Sequence, residues 1–317
     1  MSKYDVIALG ELLIDFTNNG TSSQGNPIFE ANPGGAPCNV LAMLNKLGKK
    51  VSFIGKVGND QFGRQLRATL EEVGINSDNL LIDAKVPTTL AFVHTFPDGD
   101  REFSFYRKPG ADMMLCEDDI REDMVDSSKI FHFGTLSMTS ENSHKATIKA
   151  IELAKNSGAI ISLDPNLRVP LWDDLEEAKQ KMWEAISYCD ILKISDNEVQ
   201  FLTDIEDYDE GIALIKERCN TPLICLTLGK DGSRAYYKNM RIEAKGFEQK
   251  NVVDTTGAGD TFCGAVLSYI CDYGLENLTE DKISQMITYA NAAASLVTLK
   301  KGAIKSMPSR EEIDALL

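Results

Sequence analysis

Histidine is nearly absent from this chain of 317 residues, and its cysteines are few and scattered. His94, His132 and His144 stand at no spacing that would ligate a transition metal, which sets aside a zinc site. The seven cysteines (Cys38, Cys116, Cys189, Cys219, Cys225, Cys263, Cys271) are odd in number and never spaced C-x-x-C. Reduced thiols in a cytoplasmic protein are therefore expected, and a disulfide framework is not. Long apolar runs are missing too. The longest uncharged stretch, Ile283 to Leu299, has 17 residues and carries Ser284, Gln285, Thr288, Asn291 and Ser295, a poor membrane span. Met1 to Leu9 lacks a basic region followed by an apolar core, so no secretory signal is expected. Basic residues are outnumbered: 33 Lys and Arg against 48 Asp and Glu leave a net charge of −15. That argues against a broad face for nucleic acid. It leaves room for one small anion in a local pocket.

What is present reads as globular, with 43% hydrophobic and 26% charged residues and length enough for one large domain. Short apolar runs at Val6–Leu9, Val51–Ile54, Ile130–Phe133, Ala159–Leu163, Ile191–Ile194 and Leu223–Leu228 have strand length. Helical periodicity separates them at Asn39–Leu47, Gln61–Val73 with Asp60 as N-cap, His144–Lys155 and Leu175–Tyr188. Strands alternating with helices predict an α/β fold, with a mainly parallel sheet covered on both faces. One segment breaks the rhythm. Thr88–Phe96 and Arg101–Tyr106 flank the turn Pro97-Asp98-Gly99-Asp100 with no helix between them. This hairpin, joined by the stretch from Phe16, predicts a β lid from about residues 16–30 and 88–107 on a single domain of residues 1–317. Its apolar and aromatic residues Leu90, Phe92, Phe96, Phe103 and Phe105 lie on both strand faces, which suggests a homodimer through the lid.

The strongest local feature is Asp254-Thr255-Thr256-Gly257-Ala258-Gly259-Asp260, running into the apolar Thr261–Leu267. Glycines here let the chain turn and expose amide N–H groups, and a buried helix after them attracts anions at its N-terminus. Asp260 in the first helical turn is available as a base beside such an anion. An ordinary glycine turn with an aspartate cap fits the same seven residues. Gly34-Gly35-Ala36-Pro37-Cys38-Asn39 opens the first helix, and reads either as a ligand approach or as a tight turn capped by Asn39. Asp15 follows the first strand, where open α/β sheets bind ligands. Arg107, after the hairpin, and Arg168, in Asp164-Pro165-Asn166-Leu167-Arg168, offer fork donors for phosphate or polyol oxygens. Thr227-Leu228-Gly229-Lys230-Asp231-Gly232 is a turn or a nucleotide-binding edge.

In order and spacing these motifs resemble the ribokinase-like sugar kinases over nearly the whole chain. Gly34 to Asn39 resembles the family's N-terminal motif and Asp254 to Asp260 its C-terminal one. Glu11, Asp15, the Gly58–Gly63 stretch and Lys301-Gly302-Ala303 fall in the expected order. Phe105-Tyr106-Arg107 with Ala111-Asp112-Met113, and Asp164 to Arg168, are most similar to fructokinases. The resemblance implies a three-layer fold with a β lid and transfer of the ATP γ-phosphoryl to a primary sugar hydroxyl, O6 of fructose. It implies Asp260 as base and Gly257, Ala258 and Gly259 as anion hole. Asp15, Gly34, Gly35, Asn39 and Arg107 would hold the sugar, with Arg168 at the sugar or the γ-phosphate. Lys193, Ser195, Thr227, Gly229, Gly232 and Asn291, with Gly257 and Gly259, would line the nucleotide pocket. Ser195-Asp196-Asn197-Glu198 stands where the family has N-x-x-E, leaving Glu198 to organise magnesium through water. Asp254 and Thr256 match the family's monovalent-cation loop, which points to potassium. A 2-keto-3-deoxygluconate kinase or a ribokinase shares these motifs. A nucleoside kinase fits less well around Arg107 and Arg168, and a non-catalytic regulator would be expected to lack Asp260 or the glycines.

Overall fold

The first strand, β1 (Tyr4–Leu9), shows how the large sheet is built. Successive side chains leave a strand on opposite faces. Val6 and Ala8 enter one hydrophobic core and Ile7 and Leu9 the other, all fully buried. A continuous apolar run is what a strand covered on both faces requires.

The computed structural model describes residues 3–95, 101–126 and 128–317. After β1 come β2 (Leu13–Thr21), β3 (Pro27–Gly34), α1 (Ala36–Lys46), β4 (Val51–Gly58), α2 (Gln61–Glu72) and β5 (Asn76–Asp83). The middle of the chain holds β6 (Leu90–Thr95), β7 (Arg101–Tyr106), β8 (Ser128–Phe133), α3 (Glu141–Asn156), β9 (Ile160–Leu163), α4 (Leu175–Tyr188), β10 (Ile191–Ser195) and α5 (Asp196–Thr203). The last third holds α6 (Tyr208–Cys219), β11 (Leu223–Thr227), β12 (Gly232–Tyr237), β13 (Met240–Lys245), α7 (Ala258–Tyr273), α8 (Glu280–Val297) and α9 (Arg310–Asp314).

Nine of these strands form one sheet in the order β13-β12-β11-β10-β9-β8-β1-β4-β5. Every pairing from β11 to β5 is parallel, and β12 and β13 add an antiparallel edge. The sheet is thus the expected mainly parallel α/β arrangement. The first helix starts at Ala36, three residues earlier than the periodicity suggests, because a proline in the first turn loses no hydrogen bond. A second sheet, β3-β2-β6-β7, contains both arms expected of the small β element. It begins at Leu13, before the expected Phe16, because β2 pairs with β3 from the Leu13–Gly34 register onward. The turn residues Pro97 to Asp100 and Phe96 lie outside the described residues, as does the side chain of Phe103.

Helix starts differ in one respect that bears on function. Asp60, Ser140, Asp174, Ser195, Asp207, Thr279 and Ser309 each cap a helix by accepting a first-turn N–H. Only α1 and α7, among the described α-helices, begin at a glycine without a side-chain cap, at Gly35 and Gly257. Both open onto the same cavity. All seven cysteines are free thiols, with Cys38, Cys189, Cys225 and Cys263 buried. No helix among the described residues is long and apolar enough to cross a membrane.

Candidate active site

A cavity of about 390 Å³ lies beyond the carboxyl ends of the parallel strands, between the large sheet and the small one. Glu11, Leu13 and Asp15 enter it from the chain after β1, and Gly35, Ala36 and Asn39 from the start of α1. Asn166 and Arg168 come from the segment after β9, Lys193 and Ser195 from β10, and Glu198 from α5. Thr255, Thr256, Gly257, Gly259 and Asp260 close it at the start of α7. Phe105 and Leu136 form an apolar part of the wall. The parallel sheet explains this convergence, since it delivers the end of every strand to one edge.

At the centre, Asn39 Nδ2 donates to Asp260 Oδ2 at 2.7 Å and so orients the carboxylate. Burial raises the Asp260 carboxyl above its ordinary value, against the Asn39 hydrogen bond and the positive charges of Lys193 and Arg168. Gly257 stands at φ 79°, in the left-handed region that favours glycine. A Cβ there would meet Ala303 Cβ at 2.6 Å. The first-turn N–H groups of a helix have no acceptor within it. At α7 no side chain of the cap takes their place, so this end is suited to a phosphoryl oxygen. Lys193 lies over it: a Cβ on Gly259 would fall 3.0 Å from Lys193 Nζ.

Lys193 is buried and pairs with both oxygens of Asp164, at 3.1 and 3.0 Å. Burial opposes its charge, yet Asp164, Glu198 and Asp260 together push its ammonium above the usual value. Burial lifts the Asp164 carboxyl to about 7 even beside Lys193. Glu198 is shifted the other way. Burial raises it, but Lys193 and hydrogen bonds from the Ser195 and Leu167 amides and the Ser195 hydroxyl, each 2.8 Å, hold it below the ordinary range.

On the opposite wall, burial raises Asp15 to about 7, with Arg168 opposing and Asp254 and Asp260 reinforcing the rise. Gly34 admits this carboxylate, because a Cβ there would sit 2.3 Å from Asp15 Oδ2. Burial likewise raises Glu11 to about 7, although its Oε1 accepts the Ala36 N–H at 2.8 Å. Buried acids lifted toward neutrality, Glu11 and Asp15 in the wall and Asp164 paired with Lys193, are typical of a functional cleft.

The other predicted residues lie outside this cluster. Thr227 ends β11 in register with Ser195, and Gly229 and Gly232 form the turn into β12 at the antiparallel edge. Asn291 Nδ2 donates to the carbonyls of Ala244 and Lys245 at 3.1 and 3.2 Å, joining α8 to the end of β13. Asp254 accepts the Thr256 and Gly302 N–H groups at 2.9 and 3.1 Å and so ties the loop before α7. The structure directs Arg107 elsewhere: it is buried, and each guanidinium nitrogen donates to a protein acceptor. No sequence motif gives Glu11, Asp164, Asn166 or Leu136 a role of its own. Asp164 and Asn166 belong to the Asp164–Arg168 motif, and Asn166 at φ 49° marks a sharp turn in the segment that lines the cavity. Leu136 carried no signal at all.

Comparison with known proteins places this geometry. Fructokinase-2 of Solanum lycopersicum is 40% identical over 314 residues, which cover 98% of this chain and 95% of that one. Fructokinase-1 of Zea mays is 39% identical, covering 98% and 97%. Among solved structures, a double-mutant fructokinase of Vibrio cholerae O395 with fructose, ADP and potassium ion bound superposes with a TM-score of 0.89. It is 30% identical, with 100% of this chain and 99% of that one covered. The sequence pattern of the pfkB family carbohydrate kinases matches residues 3–310, and with that extent of match this chain belongs to the family.

Proposed function

We propose that the protein is an ATP-dependent fructokinase, forming fructose 6-phosphate and ADP. The observation that carries this reading is Asp260, held by Asn39 at the third residue of an uncapped helix and flanked by Arg168 and Lys193. In the reaction the sugar O6 forms a bond to the γ-phosphorus as the bond to the β-phosphate oxygen breaks, and the hydroxyl proton passes to Asp260. Phosphoryl transfer of this kind depends on positioning and on neutralising charge. The amides of Gly257 and Gly259 meet the transferring oxygens, beside the Ala258 N–H, which also donates to the Thr255 carbonyl at 3.3 Å, and Lys193 and Arg168 offset their charge. Asp15 accepts sugar hydroxyls. The turn from Thr227 to Gly232 receives the nucleotide beside Ser195.

Glu198 tests whether magnesium fits. Its carboxylate is held ionised at the cavity wall, and both oxygens already accept donors, which suits contact through water. Bound with ATP, magnesium would supply positive charge to the phosphates of an acidic protein. Asp254 and Thr256, in the loop before α7, are the residues for a potassium ion. The small sheet acts as a lid that excludes water, which would otherwise take the place of the sugar hydroxyl. Its exposed Ile28 and Tyr106 make it the face for a homodimer, to be read from the elution volume of the native chain.

The experiment is a panel of fructose, ribose, 2-keto-3-deoxygluconate and adenosine with ATP and magnesium, read as kcat/KM by ADP release. Fructose is expected to lead, and EDTA to abolish turnover. A preference for another acceptor would overturn the fructose assignment.

A further inference from the structure

We propose that Arg107 is a positioning residue, a latch that binds the root of the small sheet to the body of the kinase, and that it does not itself hold the sugar. The proposal deepens the reading above and rests on it. Arg107 directly follows β7 and is 5% exposed. Its Nε donates to Asp112 Oδ2 at 2.7 Å, its Nη1 to Thr139 Oγ1 at 2.7 Å and its Nη2 to the Leu136 carbonyl at 3.0 Å. Nη2 also lies 2.7 Å from the same Asp112 carboxylate. The other oxygen, Asp112 Oδ1, accepts from Thr89 Oγ1 at 2.5 Å. Thr89 immediately precedes β6, and its carbonyl accepts the Ile14 N–H of β2 at 3.2 Å.

One guanidinium and one carboxylate therefore join three places. They are the end of β7, the start of β6, and the turn of residues 135–139 after β8. The packing around them is close: a Cβ on Gly110 would lie 1.8 Å from Thr89 Oγ1 and 2.8 Å from Asp112 Oδ1. The latch reaches the cavity through its neighbours. Phe105, two residues before Arg107, and Leu136, whose carbonyl takes the Nη2 proton, both line the wall. A buried arginine with its fork filled by protein acceptors fixes geometry, because releasing any partner leaves a buried charge or donor unpaired.

The test compares Arg107→Ala, Asp112→Asn and the double variant. If the pair is a latch, each single change raises the fructose KM about tenfold, the size expected from losing a charge-assisted hydrogen bond. The double variant is then no worse than the singles, ADP affinity is unchanged, and sugar-independent ATP hydrolysis rises. Amide hydrogen exchange in β6 and β7 accelerates in all three without any substrate present. The proposal is overturned if Asp112→Asn keeps a normal KM while Arg107→Ala loses it, if the two effects multiply, or if lid exchange is unchanged. Should Arg107→Ala fail to fold, Thr139→Val removes one acceptor at nearly constant volume. A smaller KM rise with faster lid exchange supports the latch, and unchanged exchange overturns it. Because exchange needs no sugar, a failed fructose preference leaves this readout intact.

Discussion

Helices α5 and α7 start at the same cavity, and each carries a carboxylate at its third residue, Glu198 in one and Asp260 in the other. At α5 that carboxylate is turned on its own helix. Ser195 and Glu198 cap one another, and Glu198 also accepts the Leu167 N–H, so its charge is stabilised and committed. At α7 the cap is Gly257, the side-chain partner of Asp260 is Asn39 of another helix, and burial keeps the carboxyl raised. Equal position in a helix thus leaves one carboxylate tied to its own helix start and the other, the proposed base, held by a side chain from across the cavity. The cap residue decides which, because a side chain that fills the first-turn N–H groups leaves none for a substrate anion.

The largest test of this contrast is Asp260→Asn, expected to cut turnover by at least about 10² while leaving ADP binding intact. Near-normal ADP release would break the assignment. The same variant should raise the thermal midpoint at pH 7. A carboxyl raised in the folded state favours its protonated form, so Asp260 lowers stability as pH rises above its unfolded value. Next in size, Gly257→Ser places a cap and a Cβ at the open end, where the chain has positive φ and Ala303 lies 2.6 Å away. A loss of about tenfold or more in kcat follows from disturbing these amides, and steady-state kinetics would reveal an undisturbed site.

Glu198→Gln addresses the closed end and should cost about 2 kcal/mol by removing a charged acceptor from three donors. Its pH dependence has the opposite sign to that of Asp260. A lowered carboxyl contributes stability above its unfolded value that is lost as pH falls through the folded one, so the gap to wild type should narrow in acid. Thermal melts at pH 7 and near pH 4 would show a constant gap if the carboxylate were not committed. Smallest of all, Ser195→Ala removes one cap hydroxyl, for about 1 kcal/mol and a midpoint about 2 °C lower.

These two helix starts also mark how far the sequence could be read. Gly257, Gly259 and Asp260 stand out locally because glycine signals an unusual backbone and aspartate a charge at a helix start. The Asp60 cap of α2 was readable for the same reason, and the structure shows its carboxylate accepting the Gly63 N–H at 2.8 Å. The small sheet was visible as a hairpin without a helix, though β2 and β6 pair across more than 70 intervening residues. Lys193 with Asp164 was not legible as a pair, because 29 residues separate two side chains that meet only when β9 and β10 lie side by side. The partners of Arg107 were hidden for a related reason: its sequence context suits an anion, and only the structure shows Asp112, Thr139 and the Leu136 carbonyl accepting from its guanidinium.

By itself the sequence determined the α/β alternation, the glycine-opened helix starts and the identity of the acids and arginines, because these follow from local sterics and charge. Only the tertiary structure decided which of them act together. Asn39 reaches Asp260 across 221 residues, and burial, which no local pattern records, raises Asp15 and Asp260 while Lys193 and hydrogen bonds hold Glu198 down. Proton affinity depends on desolvation and on neighbours in space, and both arise only when the strand ends converge at one edge of the sheet.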